Sequence, residues 1–110
     1  MLKGLGDIGK LGGMLKHAME MKQRIEELKE ALGDERVEGS AGGGMVIVVM
    51  TGKMEVLSVT IDPEIIDKND PQMLETMVRA AVNAATDKAR ELMETRMKEI
   101  AGDLNIPGLV

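Results

Sequence analysis

Apolar residues recur along the first third of the chain at alternating intervals of three and four residues, the spacing of a heptad seam. The seam positions are Leu11, Met14, Ala18, Met21, Ile25, Leu28 and Leu32. Gly33 follows them, where glycine commonly ends a helix. The pattern predicts a helix from about residue 13 to residue 32. The glycine-rich segment 1–12 is expected to be flexible, because each glycine lowers helix stability by about 1 kcal/mol relative to alanine.

Three short runs that predict strands follow, at residues 36–41, 45–50 and 56–61. The middle run, MVIVVM, has no polar position and predicts a strand buried on both faces, at the centre of an antiparallel meander. The third run alternates and predicts a half-buried strand with Leu57, Val59 and Ile61 on one face. Gly52 is expected to adopt a positive φ in the turn between the last two strands.

Asp70 and Pro71 predict the start of a second helix, with Asp70 as N-cap and Pro71 at the first helical position. The apolar stripe of this helix is wide and alanine-rich, and it extends to about residue 101, before Gly102. A helix of that length, roughly 45 Å, exceeds a three-stranded sheet, so its last turns should project. Residues 103–110 are expected to form an extended tail. The chain is predicted to be a single α+β domain over residues 1–110.

One helix on one face of such a sheet leaves the other face of the middle strand in water. The chain also lacks aromatic residues and contains 11 methionines, which specify packing weakly. Both features favour a homodimer in which a second copy covers the sheet. The interface is predicted to combine positions from the sheet and from the helical seam: Met45, Ile47, Val49, Met21, Ile25 and Leu28.

Composition excludes several functions. There is no cysteine and only one histidine, and neither a nucleophile–base set nor a phosphate loop can be assembled, so an enzyme, a metal site and a cofactor are not expected. No apolar run is long enough to span a membrane, and the protein is interpreted as cytoplasmic. Net charge is −5, but residues 1–24 carry +3 and residues 25–75 carry −8. The basic end of the chain remains a candidate for phosphate contacts.

Several stretches together resemble the YbaB/EbfC family of bacterial nucleoid-associated DNA-binding proteins. They are GGMLKHAMEMKQRIEELKEAL, AGGGMVIVVMTGKMEVLSVTIDPEII, LETMVRAAVNAATDKARELMETRM and NIPGL. The chain departs from the family pattern at Ile47 and Val49, where polar residues are common, and at Thr51, where asparagine is common. The first departure makes one sheet face unusually apolar.

The resemblance implies an intertwined homodimer whose projecting helices form a clamp on double-stranded DNA, with little sequence preference and a nucleoid-associated location. Phosphate contacts are predicted at Lys10, Lys16, Lys22, Arg24, Arg96 and Lys98. Stacking on bases is excluded because the chain has no aromatic side chain. A dimeric protein–protein interaction scaffold with weak or no DNA binding remains the alternative, favoured by the acidic middle segment. Neither a membrane partner nor a small-molecule substrate is expected.

Overall fold

The computed structural model describes the backbone of residues 2–103 and the side chains of residues 9–102. Along the sequence, one long helix precedes a three-stranded sheet and a second long helix follows it, which confirms the predicted α+β order. The elements are α1 (Leu2–Asp34), β1 (Arg36–Ala41), β2 (Val46–Thr51), β3 (Val56–Ile61), a 3₁₀ turn (Pro63–Ile65) and α2 (Pro71–Asp103). The molecule is elongated, with extents of 81 × 22 × 18 Å.

The sheet is an antiparallel meander in the order β1-β2-β3, with β2 in the centre. Val46, Val48 and Met50 of β2 are buried beneath α2, and they form the core with alanines of that helix. Ile47 and Val49 alternate with them, point to the opposite face and are half-buried. Within one chain, therefore, β2 is fully covered on one face only.

Helix α2 packs very closely on the sheet because small residues meet at the contact. Ala81, Ala85 and Ala89 are completely buried. Gly39 of β1 lies directly below, and a Cβ at this position would collide with backbone atoms of Ala81 and Ala85. This contact places α2 over β1 and β2.

Strand β3 is not covered by α2, so the prediction of a half-buried third strand is wrong for the single chain. Val56, Leu57 and Val59 are 49%, 48% and 45% exposed. A helix about 10 Å wide covers about two strands spaced 4.8 Å apart, and α2 already lies over β1 and β2. Val59 pairs with Val48 and Val56 pairs with Met50, so both valines lie on the α2 side of the sheet.

The turn between β2 and β3 also differs from the prediction. Met54, not Gly52, has the positive φ, at 68°. Gly52 is needed for another reason: its N–H donates to the Leu32 carbonyl oxygen at 2.9 Å, and a Cβ there would lie 2.7 Å from that oxygen. The Thr51 hydroxyl accepts hydrogen bonds from the N–H groups of Lys53 and Glu55, both at 3.2 Å. The turn thus holds the end of α1 against the sheet.

Helix boundaries differ from the predictions at both ends of the chain. Helix α1 begins at Leu2 rather than near residue 13. Adding a residue to an existing helix requires no new nucleation, which offsets the low propensity of the glycines. The flexibility of residues 1–12 stays a prediction. Helix α2 is capped by Asp70, as predicted, and continues through Gly102 to Asp103. The rest of the predicted tail, residues 104–110, lies outside the described residues.

Candidate nucleic-acid interface

Helix α1 is anchored at one end only. Leu28 and Leu32 are buried near the sheet, whereas Leu11, Met14 and Leu15 are each more than half exposed. We refer to residues 9–24 of α1 as the arm. Since α1 spans roughly 50 Å, the arm extends well beyond its anchored end.

The charge of α1 changes sign along its length. The arm carries Lys10, Lys16, Lys22 and Arg24 against the single carboxylate Glu20, a net charge of +3. The anchored part, residues 25–34, carries four carboxylates against one lysine, a net charge of −3. The positive end of α1 is therefore the end that projects.

The four cations of the arm are exposed, but they do not form a single basic stripe. At about 100° per residue, Lys10, Lys16 and Lys22 point in three directions roughly 120° apart. A set that reads base edges would need side chains converging on one groove. Cations pointing in several directions instead suit contacts with phosphates, which do not depend on base identity.

Arg96, on α2, is held in an ion-pair network. Its Nη2 donates to Glu35 Oε1 at 2.8 Å, and its Nη1 donates to Glu99 Oε1 at 3.3 Å. The hydrogen bond and charge of Glu35 raise the pKa of Arg96, with a further contribution from Glu99. Arg96 thus links α2 to the junction between α1 and β1. The sequence pattern did not reveal this, because Glu35 and Arg96 are far apart along the chain.

Lys98 is exposed and lies elsewhere, at a groove between the two helices. Met21 of α1 shares this groove with Met93, Met97 and Ala101 of α2. Lys98 is therefore next to the seam of α1, whereas Lys16 points away from that seam. The structure does not gather the six predicted phosphate-contact residues into one site.

The residues predicted for a dimer interface lie in two places. Met45 lies just before β2, and Ile47 and Val49 lie on the sheet face opposite α2. Met21 and Ile25 are half-buried on α1, and Leu28 is already buried within its own chain. The sequence pattern did not predict that Val56, Leu57 and Val59 of β3 are exposed. The ratio of helix width to strand spacing could have indicated this exposure, since one helix covers only about two strands.

Across the described ranges, no group of three or more His, Asp or Glu side chains is placed to hold a metal ion. Nor is any described helix long and apolar enough to cross a membrane.

Comparison with known proteins assigns the chain to a family. The model of the YbaB/EbfC DNA-binding family matches residues 8–104. A nucleoid-associated protein of Caldanaerobacter subterraneus is 43% identical over 99 residues, which cover 90% of this chain and 89% of the relative. A nucleoid-associated protein of Afipia carboxidovorans is 46% identical over 97 residues, which cover 88% of this chain and 92% of the relative.

A solved structure is similar in fold. The crystal structure of an uncharacterized protein from Helicobacter pylori superposes with a TM-score of 0.62 and 24% identity, covering 71% of this chain and 90% of the other. At that identity the likeness supports the fold alone.

Proposed function

Because the chain belongs to the YbaB/EbfC DNA-binding family, we propose that it binds duplex DNA as a homodimer, through phosphate contacts with little sequence preference. The family is one of nucleoid-associated DNA-binding proteins and not of enzymes. The proposed location is the nucleoid, in the cytoplasm, where such binding would influence nucleoid organisation or gene expression. The observation that carries the proposal is the reversal of charge along α1.

The arm is the proposed DNA-contacting element. Phosphate neutralisation supplies most of the affinity of non-specific binding, and it requires exposed cations on a surface that reaches the duplex. The arm meets this requirement with a net charge of +3. The acidic anchored part would repel the duplex and keep the contact at the arm. Arg96 is excluded from the main contact set, since Glu35 and Glu99 already bind its guanidinium.

Homodimerisation is proposed on the basis of the uncovered sheet. Strand β3 is an edge strand, and an exposed apolar edge is a template for pairing with another chain. Its valines lie on one face, while Ile47 and Val49 are half-buried on the other face. A second copy placed at β3 would cover the apolar edge and leave both arms projecting. The seam residues Met21 and Ile25 are then not required at the interface.

The arm is tested by replacing Lys10, Lys16 and Lys22 with glutamine. We expect the variant to lose most of its affinity for random duplex DNA in a mobility-shift titration at low salt. Each phosphate contact contributes about 0.9 to the slope of log K against log salt. The slope should therefore fall by up to about 2.7 per protomer.

The matched control replaces Lys53, Lys68 and Lys88, three exposed lysines of the body, with glutamine. This variant has the same net charge as the arm variant, so it should bind nearly as well as the unmodified protein. Equal losses in the two variants would refute the arm as the contact site. Absence of binding by the unmodified protein would instead favour the second candidate, a dimeric interaction scaffold, which the −8 charge of residues 25–75 supports.

A further inference from the structure

Methionine is the side chain of this protein that an oxidant attacks first, since the chain contains no cysteine, tryptophan or tyrosine. Peroxides convert its thioether to a sulfoxide, and access to the sulfur governs the rate. The described methionines differ widely in exposure. Met14 and Met19 of the arm are 68% and 70% exposed, Met73 is 40% exposed, and Met50 of the core is 2% exposed. Among the described residues, oxidation of the folded protein should therefore begin on the arm.

Met19 lies between two cations of the arm. Lys16 precedes it by three residues and Lys22 follows it by three, so both are its neighbours on the helix surface. The three side chains line one groove of about 690 Å³. The groove also contains the carboxylates Glu20 and Glu26, so the positive charge for a phosphate comes from the two lysines. A chemical change at Met19 therefore acts next to both lysines at once.

The other exposed methionines have different neighbours. Met14 shares its groove with one lysine, Lys10. Met73, on α2, shares its groove with Asp70 and with no described cation. Met73 is thus an exposed methionine whose oxidation leaves the lysines of the arm unaffected, and it provides a matched control.

Oxidation adds a hydrogen-bond acceptor at Met19 without changing the charge. One oxygen atom of hydrogen peroxide is transferred to Sδ, which loses two electrons; the S=O bond forms, the O–O bond breaks and water is released. Methionine sulfoxide reductases reverse the change. The phosphates and sugars of duplex DNA offer hydrogen-bond acceptors but no donors. A sulfoxide oxygen beside them must therefore accept an N–H from Lys16 or Lys22 or stay unpaired, and either result weakens binding.

We propose that Met19 is a site of reversible oxidation and that its sulfoxide lowers the affinity of the arm for DNA. The reduced thioether leaves Lys16 and Lys22 available to phosphates, whereas the sulfoxide diverts one of them or places an unpaired acceptor at the interface. The effect on DNA binding rests on the proposed function of the arm. The preferential oxidation of Met19 over Met50 follows from exposure alone.

The test uses the whole chain with Met14→Leu, because oxidation of Met14 would also act beside Lys10. Two further variants add Met19→Leu or Met73→Leu, which conserve side-chain volume. Each protein is treated with hydrogen peroxide, freed of it and titrated against random duplex DNA by fluorescence anisotropy at fixed salt. Oxidation should weaken binding about tenfold in the starting protein and in the Met73→Leu variant, and less than about twofold in the Met19→Leu variant. Treatment with the reductases should restore the affinity.

Peptide mapping by mass spectrometry and a titration of the reduced protein separate the outcomes. Absence of DNA binding by the reduced protein would refute the proposed function, and the effect of Met19 with it. Binding by the reduced protein that survives complete oxidation of Met19 would overturn the role of Met19 alone. Equal losses in the Met19→Leu and Met73→Leu variants, or oxidation of Met50 as fast as that of Met19, would overturn it too.

Discussion

Glycine at position 39 sets the distance between α2 and the sheet. The backbone of α2 occupies the space that a side chain at this position would need, through Ala81 and Ala85. Backbone atoms cannot rotate away as a flexible side chain can, so any larger residue must push the helix off the strands. The completely buried alanines of the core would then lose contact with Val46 and Val48.

We therefore predict that Gly39→Ala lowers the free energy of unfolding by about 3 kcal/mol, the upper end of the usual cost of overpacking. Urea denaturation at a fixed protein concentration measures this, because the proposed dimerisation would contribute to apparent stability. Gly102→Ala is the control: its Cβ would meet no atom within 4 Å, and we expect no loss. A change below about 0.5 kcal/mol for Gly39→Ala would contradict the proposed close contact.

Arg96 and Lys16 have the same charge but different surroundings, and their substitutions should separate structure from DNA contact. Arg96→Gln removes the links to Glu35 and Glu99, so it should reduce stability while changing DNA affinity little. Lys16→Gln, on the exposed arm, should lower DNA affinity while changing stability little. Urea denaturation and DNA titration of both variants measure the two effects. A larger loss of DNA affinity for Arg96→Gln than for Lys16→Gln would indicate that Arg96 contacts DNA.

The pH dependence of the Arg96 network has a definite sign. The raised pKa of Arg96 means that its contribution to stability is fully present below the ordinary arginine pKa. That contribution is lost only as the pH rises through the higher pKa of the folded state. The guanidinium therefore stays charged, and its ion pair should respond to salt rather than to pH near neutrality.

At the scale of elements, strand β3 is the part of the sheet that its own chain leaves exposed. Val59 shares the α2 side of the sheet, whereas the adjacent Ser58 pairs with Val49 on the other side. Substitutions at these two neighbours therefore distinguish which face of the sheet a second copy would cover.

We predict that Val59→Asp shifts the protein from dimer to monomer at micromolar concentration, because the interface would have to bury a carboxylate without a partner. Ser58→Asp, with the same added charge on the same strand, should remain dimeric. Sedimentation velocity measures both. Dissociation by Ser58→Asp alone would instead assign the interface to the face that carries Ile47 and Val49.

Local patterns predicted much of the fold. The cap at Asp70, the strand β1 and the seam of α1 all follow from short-range chemistry, and the structure has each of them. The sequence predicts the turn at Gly52 correctly, but glycine is required there by the close approach of Leu32, a distant residue, and not by a positive φ. The exposure of β3 and the pairing of Arg96 with Glu35 likewise depend on how elements pack. Such contacts leave no periodic signal along the chain.

For the whole molecule, two arms on one dimer should bind DNA far more tightly than one. Once the first arm is bound, the second is held near the same duplex at a high effective concentration. A monomeric Val59→Asp variant keeps every cation of the arm. We nevertheless predict that its affinity for a 40-base-pair duplex falls by about 100-fold, within the usual range for loss of bivalency. Fluorescence anisotropy at fixed salt measures this.

A short duplex provides the control for bivalency. On a duplex that accommodates a single arm, the dimer and the Val59→Asp monomer should bind with similar affinity per arm, because the contacts of each arm are unchanged. A 100-fold difference that persists on the short duplex would mean that dimerisation shapes the arm itself. Equal affinity on the long duplex would mean that one arm is sufficient, and the clamp would then contribute nothing to binding.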